Sequence, residues 1–447
     1  MHADHSFIQN SNTRIKATEG KLNLNVTAGK NLVLKGNIDT KEGTLNISTK
    51  GDATLEGATV KGKGAISIDG ETSGNPNRTL EVKGNTTLKG YGDDGLFIKV
   101  SDKAKIKGTW EGDINVAGNV SYVHTLADHT KESHHDWKAN LNVNNGKFKF
   151  SDLNNHNENV AGITQEKPIL NISENVNFNV ENAEDIILFD VKQHGGQSGV
   201  NSPLKDKNSS YISKLATHIN GDMRIAGSGK VTITSSAPEN SVIGGILIKS
   251  NEIVTDGTAT LNLIGKALSE DSKNPPAIVI ENNLTLNSKG NSTINIHGSA
   301  GQGSDAVWVG KNVKLYDESS AKDADVQRNL TLLGNNINIT AAQRDGKKNA
   351  SKITVTGEFT TDAKNVYLGD KDDKNGVRVS LYGNTTLKSG NVTLNSNGEN
   401  VNSQIKLTNL KNNANLSITG SKVTFDGKTN STNSMTVNAT NDADNVI

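Results

Sequence analysis

The chain has 447 residues, in which 48 Lys plus Arg are balanced by 48 Asp plus Glu, with 4% aromatic residues and no cysteine. Charges of both signs are dispersed along it, so there is no basic stripe to hold a phosphate backbone, and nucleic acid is not an expected partner. The missing cysteines exclude disulfides and thiolate metal sites, and no run approaches the ~18 consecutive apolar residues of a membrane-spanning helix.

Sixty asparagines and 44 glycines stand against 6 prolines and a formal net charge of zero. Disorder of comparable hydrophobicity would carry more proline and more net charge, so the composition points to ordered β-structure built as a repeat array. Met1–His5 leads almost directly into the pattern and the chain stops inside it at Asn445–Ile447. Neither end looks like a capping repeat, which reads as an internal piece of a larger protein with Met1 an addition.

From Leu22 to about Gly118, apolar residues alternate with polar ones in Leu22–Val26, Leu32–Leu34, Thr44–Ser48, Ala65–Ile68 and Leu80–Val82. That period of two predicts strands with one buried face. Gly36, Gly43, Asp69-Gly70 and Asp94-Gly95 separate the runs, as residues that turn the chain at low cost. An Asn-led phrase recurs at Asn31-Leu-Val-Leu34, Asn85-Thr-Thr-Leu88, Asn283-Leu-Thr-Leu286, Asn312-Val-Lys-Leu315, Asn329-Leu-Thr-Leu332, Asn365-Val-Tyr-Leu368, Asn384-Thr-Thr-Leu387 and Asn391-Val-Thr-Leu394. Its intervals of 17, 36 and 19 residues from Asn312 through Asn329 and Asn365 to Asn384 suit a solenoid with coils of roughly 20 residues. Asparagine fits such a stack because it tolerates left-handed corners and forms amide ladders in register. The predicted fold is all-β, a right-handed parallel β-helix running as one continuous domain over residues 1–447.

Several segments break the rhythm. Residues 121–138, 152–167, 193–214, 266–276 and 316–328 read as loop insertions, with shorter ones at 299–305 and 344–348, and insertions in a solenoid gather on one face, often the binding face. Only 210–219 and 316–328 have room for a turn or two of helix.

The 121–138 segment concentrates chemistry, with His124, His129, His134 and His135 beside Asp128, Glu132, Asp136 and Trp137. The spacing matches no established zinc pattern, so no metal and no cofactor is expected. Besides a solvated loop, the segment reads as a glycan contact. A tryptophan face packs on a sugar ring and polar neighbours bond its hydroxyls, and the candidates are Tyr122, His134, His135, Trp137 and the nearby Trp110. Asp93-Asp94 and Asp372-Asp373 are the carboxylate pairs available for polysaccharide cleavage. Both sit in turns, where aspartate serves the backbone, so no enzymatic activity is expected. Asp370–Gly376 has lysine where a calcium loop needs a ligand, and Gly298–Gly303 lacks the lysine of a phosphate loop.

The Asn-Leu-Thr-Leu and Asn-Val-Thr-Leu phrases, the Gly-Asn corners and the Ser/Thr/Asn-rich strands resemble one family across essentially the whole chain. It is the filamentous-haemagglutinin-like exoproteins secreted by the two-partner route, and most closely the high-molecular-weight adhesins of Haemophilus. The amino-terminal secretion signature of that family is not recognisable here, so the resemblance is to the passenger or receptor-binding part. It implies a monomeric adhesin at the bacterial surface that is exported through an outer-membrane pore partner and binds sialylated host glycoprotein glycans without inserting into a membrane. It also implies hexose addition by a cytoplasmic glycosyltransferase at Asn-x-Ser/Thr. Seventeen such sites occur: Asn25, Asn46, Asn77, Asn85, Asn119, Asn171, Asn208, Asn283, Asn291, Asn329, Asn338, Asn349, Asn384, Asn391, Asn415, Asn430 and Asn438. Chance alone supplies about ten in a chain so rich in Asn, Ser and Thr.

Overall fold

The computed structural model describes residues 1–70, 76–126, 133–154, 168–192, 215–236, 245–267, 276–300, 305–311, 325–343, 351–370, 376–396 and 403–439. Among them every regular element is a strand and none is a helix. The strand pairs run parallel, so the chain is all-β and built by parallel stacking. It divides into two compact units. One holds Met1–Glu158, Lys167–His194 and Ile225–Ile233; the other holds Asn159–Glu166, Gly195–Arg224 and Thr234–Ile447.

In the first unit three strands make a repeat. His2–Ala3, Phe7–Gln9 and Arg14–Lys16 pair in parallel with Leu24–Ala28, Leu32–Leu34 and Asn37–Thr49, respectively. Because side chains alternate between faces, parallel register lines up one apolar row per side. Val26, Ile47, Ile66, Ile98, Tyr122, Phe150 and Phe189 are successive partners in one row. Leu34, Leu55, Val82, Trp110, Trp137 and Ile172 form a second. Ile38, Val60, Leu88, Val116, Val143 and Val180 form the third. All are buried, and each contributes about 1.5–3 kcal/mol of transfer free energy.

The second unit stacks the same way. Leu261, Ile294, Ile337, Val366, Val392 and Leu416 are successive partners, and Leu263, Ile296, Ile339, Leu368, Leu394 and Ile418 form the row two residues on. Leu215, Leu247, Val279, Trp308 and Val326 make a further buried cluster, with Tyr382 packed against it.

The polar residues between these rows form ladders. Asn415 donates Nδ2–H to Asn391 Oδ1, Asn391 to Asn365, and Asn365 to Asn336, at 3.2, 3.2 and 2.8 Å. Asn338, Asn295 and Asn262 repeat the arrangement, as do Asn142, Asn115 and Asn85 in the first unit. Other phrase asparagines do something different. Asn31, Asn283 and Asn329 use Oδ1 to accept the backbone N–H of Asp52, Asn329 and Glu358.

Three expectations need correction. Ladder partners lie 21 residues apart at Asn25/Asn46, but 30 apart at Asn85/Asn115 and 43 apart at Asn295/Asn338, so the coil length of roughly 20 residues holds in places and is exceeded where residues are inserted. Strands must stack in register, and extra residues are accommodated between them. Second, residues 121–138 are not one insertion. Ser121 to Leu126 end the strand Lys105–Leu126, and 134–138 begin His134–Asn154, with only 127–132 outside the described residues. The 152–167 and 266–276 segments likewise begin in strands, and 155–167, 193–214, 268–275 and 316–324 lie outside the described residues. Third, Thr217–Ile219 is a strand and not part of a helix.

Candidate functional site

The structure brings Trp110, Tyr122, His135 and Trp137 together, but on the inward face of the first unit. Each is fully buried, because period two places Tyr122 and Trp137 in the apolar rows. Trp110 stacks on Trp137 with ring centres 5.0 Å apart, and Tyr122 stacks on Phe150 at 4.6 Å. None of the four presents a face to a sugar, which overturns the expected glycan contact at these side chains. His134 points the other way and is half-buried, its Nδ1–H donating to Pro168 O at 2.6 Å and its Nε2 lying 3.3 Å from Asp136 Oδ1.

The buried group is polar as well as aromatic. Asp152 Oδ2 lies 3.0 Å from His135 Nε2 and 3.2 Å from His124 Nδ1. Tyr122 OH lies 3.1 Å from the same His135 nitrogen, and Ser133 Oγ 3.0 Å from His124 Nδ1. Trp110 donates Nε1–H to His135 Nδ1 at 3.3 Å. Burial favours the neutral forms: it pushes the His135 imidazole below its ordinary value and the Tyr122 phenol well above its own. Burial would also push the Asp152 carboxyl up, but the two imidazoles beside it hold it below the usual carboxylate range. Gly108 makes room for this, since a Cβ there would stand 1.9 Å from His135 Nδ1. Ser133 and Asp152 both bond the same nitrogen of His124, and all three residues are buried, so they do not form the relay of a hydrolase, which uses both ring nitrogens. Among the described residues, no group of three or more His, Asp or Glu is arranged to hold a metal ion.

The outward face of the same strands carries a better candidate. Where Lys105–Leu126 pairs with His134–Asn154 the register shifts: Val116 faces Val143, but Gly118 faces Gly146. Ala117 is thus matched by both Asn144 and Asn145, and Asn145 adopts a left-handed φ of 54°, the bend of a β-bulge. Asp185 fastens this corner, accepting the Gly146 N–H at 2.7 Å and the Asn182 N–H at 2.9 Å. Beside it opens a groove of about 620 Å³ lined by Thr87, Lys89, Asn115, Asn142, Asn144, Asn145 and Glu181 together with the Val116–Gly118 backbone.

Thr87, Asn115 and Asn142 are register partners on successive strands, about 4.8 Å apart. Asn115 commits one Nδ2 hydrogen to Asn85 and one Oδ1 lone pair to Asn142, leaving one donor and one acceptor free. Lys89 Nζ sits 5.0 Å over the Tyr91 ring, and neither it nor Glu181 has a carboxylate or cationic partner among the described residues. The groove therefore offers amide and hydroxyl donors and acceptors with one cation, Lys89, and one carboxylate, Glu181, on its lining, which suits a polyhydroxyl ligand. A second groove, of about 140 Å³, is edged by Arg14, Lys16, Asp39 and Lys61. The sequence carried one signal of the larger groove, the Asn144-Asn145-Gly146 run, where an extra residue breaks the alternation.

Of the 17 Asn-x-Ser/Thr sites, Asn208 and Asn349 lie outside the described residues, and none of the others is buried. Asn46, Asn119, Asn171, Asn338, Asn384, Asn391 and Asn415 donate Nδ2–H to a neighbour. Asn25, Asn85, Asn283, Asn291 and Asn329 engage through Oδ1 as acceptors.

No family model, curated protein or solved structure matches the chain.

Proposed function

We propose that the parallel stack is a right-handed β-helix and that the chain is the passenger portion of a bacterial surface adhesin, a member of the two-partner-secreted exoproteins that its Asn-x-x-Leu phrases resemble. It is exported through an outer-membrane pore partner, acts at the cell surface as a monomer without catalysis, and attaches to sialylated glycans of host glycoproteins. Its asparagines are hexosylated by a cytoplasmic glycosyltransferase. The observation that supports attachment is the amide-lined groove at Asn115, Asn142, Asn144 and Asn145, with Lys89 on its lining as the cation that would meet a sugar carboxylate. Binding to a glycan array tests it: saturable binding to sialylated members and weaker binding to their desialylated forms are expected, and no binding to any member overturns it.

A second reading, a structural shaft that displays a binding domain elsewhere, is favoured by the in-register amide ladders from Asn336 to Asn415, which rigidify a stack without serving any ligand. The same array separates the two, since a shaft binds nothing. Release of oligosaccharide products would contradict both.

A further inference from the structure

The polar group inside the first unit is buried throughout, and its placement is specific. Two rows meet there. Val100, His124, Asp152 and Val191 are successive partners in one, and Leu80, Gly108, His135 and Leu170 in the other. The polar residues are thus closed above and below by Val100, Val191, Leu80 and Leu170, all buried. The titratable groups facing His135 from the elements around it are Asp152, His124 and Tyr122 inside and His134 beside it; Ser133 and Trp110 complete the polar set.

The hydrogen bonds assign the tautomer of His135. An indole N–H only donates, so Trp110 Nε1–H at 3.3 Å requires a lone pair on His135 Nδ1. The single ring proton then sits on Nε2, where Asp152 Oδ2 at 3.0 Å accepts it. A second proton has one place to go, Nδ1. There it would face the indole N–H of Trp110, which is stacked on Trp137, while the Gly108 backbone lies close against the His135 ring itself.

We propose that His135 is a proton-sensitive latch: the closed aromatic repeats of the first unit accept it only neutral, so mild acid opens them while other repeats stay closed. When the repeats open, the imidazole takes up a proton near its ordinary value of about 6.5. Because the closed ring binds its proton less readily than the open one, the open form binds more protons as pH falls through about 6.5, and the stability of these repeats falls with it. Asp152 acts in a different window. Its carboxyl is held low when closed, so its contribution is complete above its ordinary value near 4 and is lost only below it. Between pH 7.5 and 5.5 it is constant, and the imidazole sets the slope.

Hydrogen exchange of the full chain, corrected for the intrinsic rate, at pH 7.5 and 5.5 tests this. In peptides from Lys105–Leu126 and His134–Asn154, opening is expected to rise about tenfold at pH 5.5, while Phe359–Gly369 and Asn415–Gly420 do not change. His135→Gln keeps a donor toward Asp152 but cannot titrate, and is expected to bring the ratio between the two pH values close to one. His134→Gln is expected to keep the tenfold ratio. A residue needed only for shape would change opening at both pH values alike and leave the ratio intact. Equal opening of the wild type at both pH values, or a tenfold ratio surviving in His135→Gln, overturns the proposal. Should His135→Gln not fold, ¹⁵N-histidine NMR of the wild type decides: a neutral ring protonated on Nε2 at pH 5.5 supports the latch, and a doubly protonated His135 in the folded chain overturns it.

Discussion

Replacing Gly108 by alanine adds one methyl group to the interior, and the structure gives the consequence. The new Cβ would lie 1.9 Å from His135 Nδ1, 2.7 Å from Cε1 and 2.9 Å from Cγ, so it meets the ring itself. The ring is held by Asp152, Tyr122 and Trp110 at 3.0, 3.1 and 3.3 Å and packs against Phe150. To accommodate the methyl it must leave at least one of those bonds. Overpacking costs about 1–3 kcal/mol, and a buried hydrogen bond lost adds about 1 kcal/mol, so a destabilisation of about 3 kcal/mol is expected for the repeats around it. Two of the three tryptophans, Trp110 and Trp137, stand at this point, so urea unfolding followed by tryptophan emission reads the effect directly. Gly57→Ala is the control. It has a left-handed φ of 58° but nothing within 4 Å of the added Cβ, so it carries backbone strain of about 1 kcal/mol and no clash. If Gly108→Ala unfolds at the same urea concentration as the wild type, the arrangement of His135 against the Gly108 backbone is wrong.

Other expectations concern the second unit and the outward asparagines. Leu368→Ala removes a fully buried side chain from an in-register row and is expected to cost about 2–5 kcal/mol, measurable as a lower melting transition; a cost under 1 kcal/mol would contradict the packing. Asn391→Ala removes two exposed amide bonds, to Asn365 and from Asn415, and is expected to cost only about 1 kcal/mol or less. If the chain is hexosylated, peptide mass mapping should place the sugars preferentially on Asn25, Asn85, Asn283, Asn291 and Asn329, which engage through Oδ1. Occupancy concentrated on the ladder donors Asn391 and Asn415 would contradict that.

The stacking principle was legible because it rests on local pattern. The Asn-x-x-Leu phrases at Asn283 and Asn329 lie in register, and so do those at Asn365 and Asn391. The apolar rows follow from period two. Residues 121–138 were misread for a physical reason. Tyr122-x-His124 and His135-x-Trp137 alternate like any strand, but histidines suggested solvent. Their burial depends on Asp152, which lies 28 residues from His124 and 17 from His135 in the chain, and on the glycine at 108. Neither relation shows in local spacing. The groove was missed because it arises from a register shift of one residue between neighbouring strands, a property of the pair and not of either strand. That shift left a trace only in the doubled asparagine before Gly146.

The proposed function places recognition on the outward amides and not on the buried aromatics. Titration of a sialylated oligosaccharide into three proteins, followed by calorimetry, tests it most directly. The wild type is expected to bind saturably, Lys89→Ala/Asn142→Ala to bind at least tenfold more weakly, and Trp137→Phe, which keeps a buried ring, to bind like the wild type. Unchanged affinity in the groove variant, or loss of binding in Trp137→Phe with the fold intact, would contradict the account.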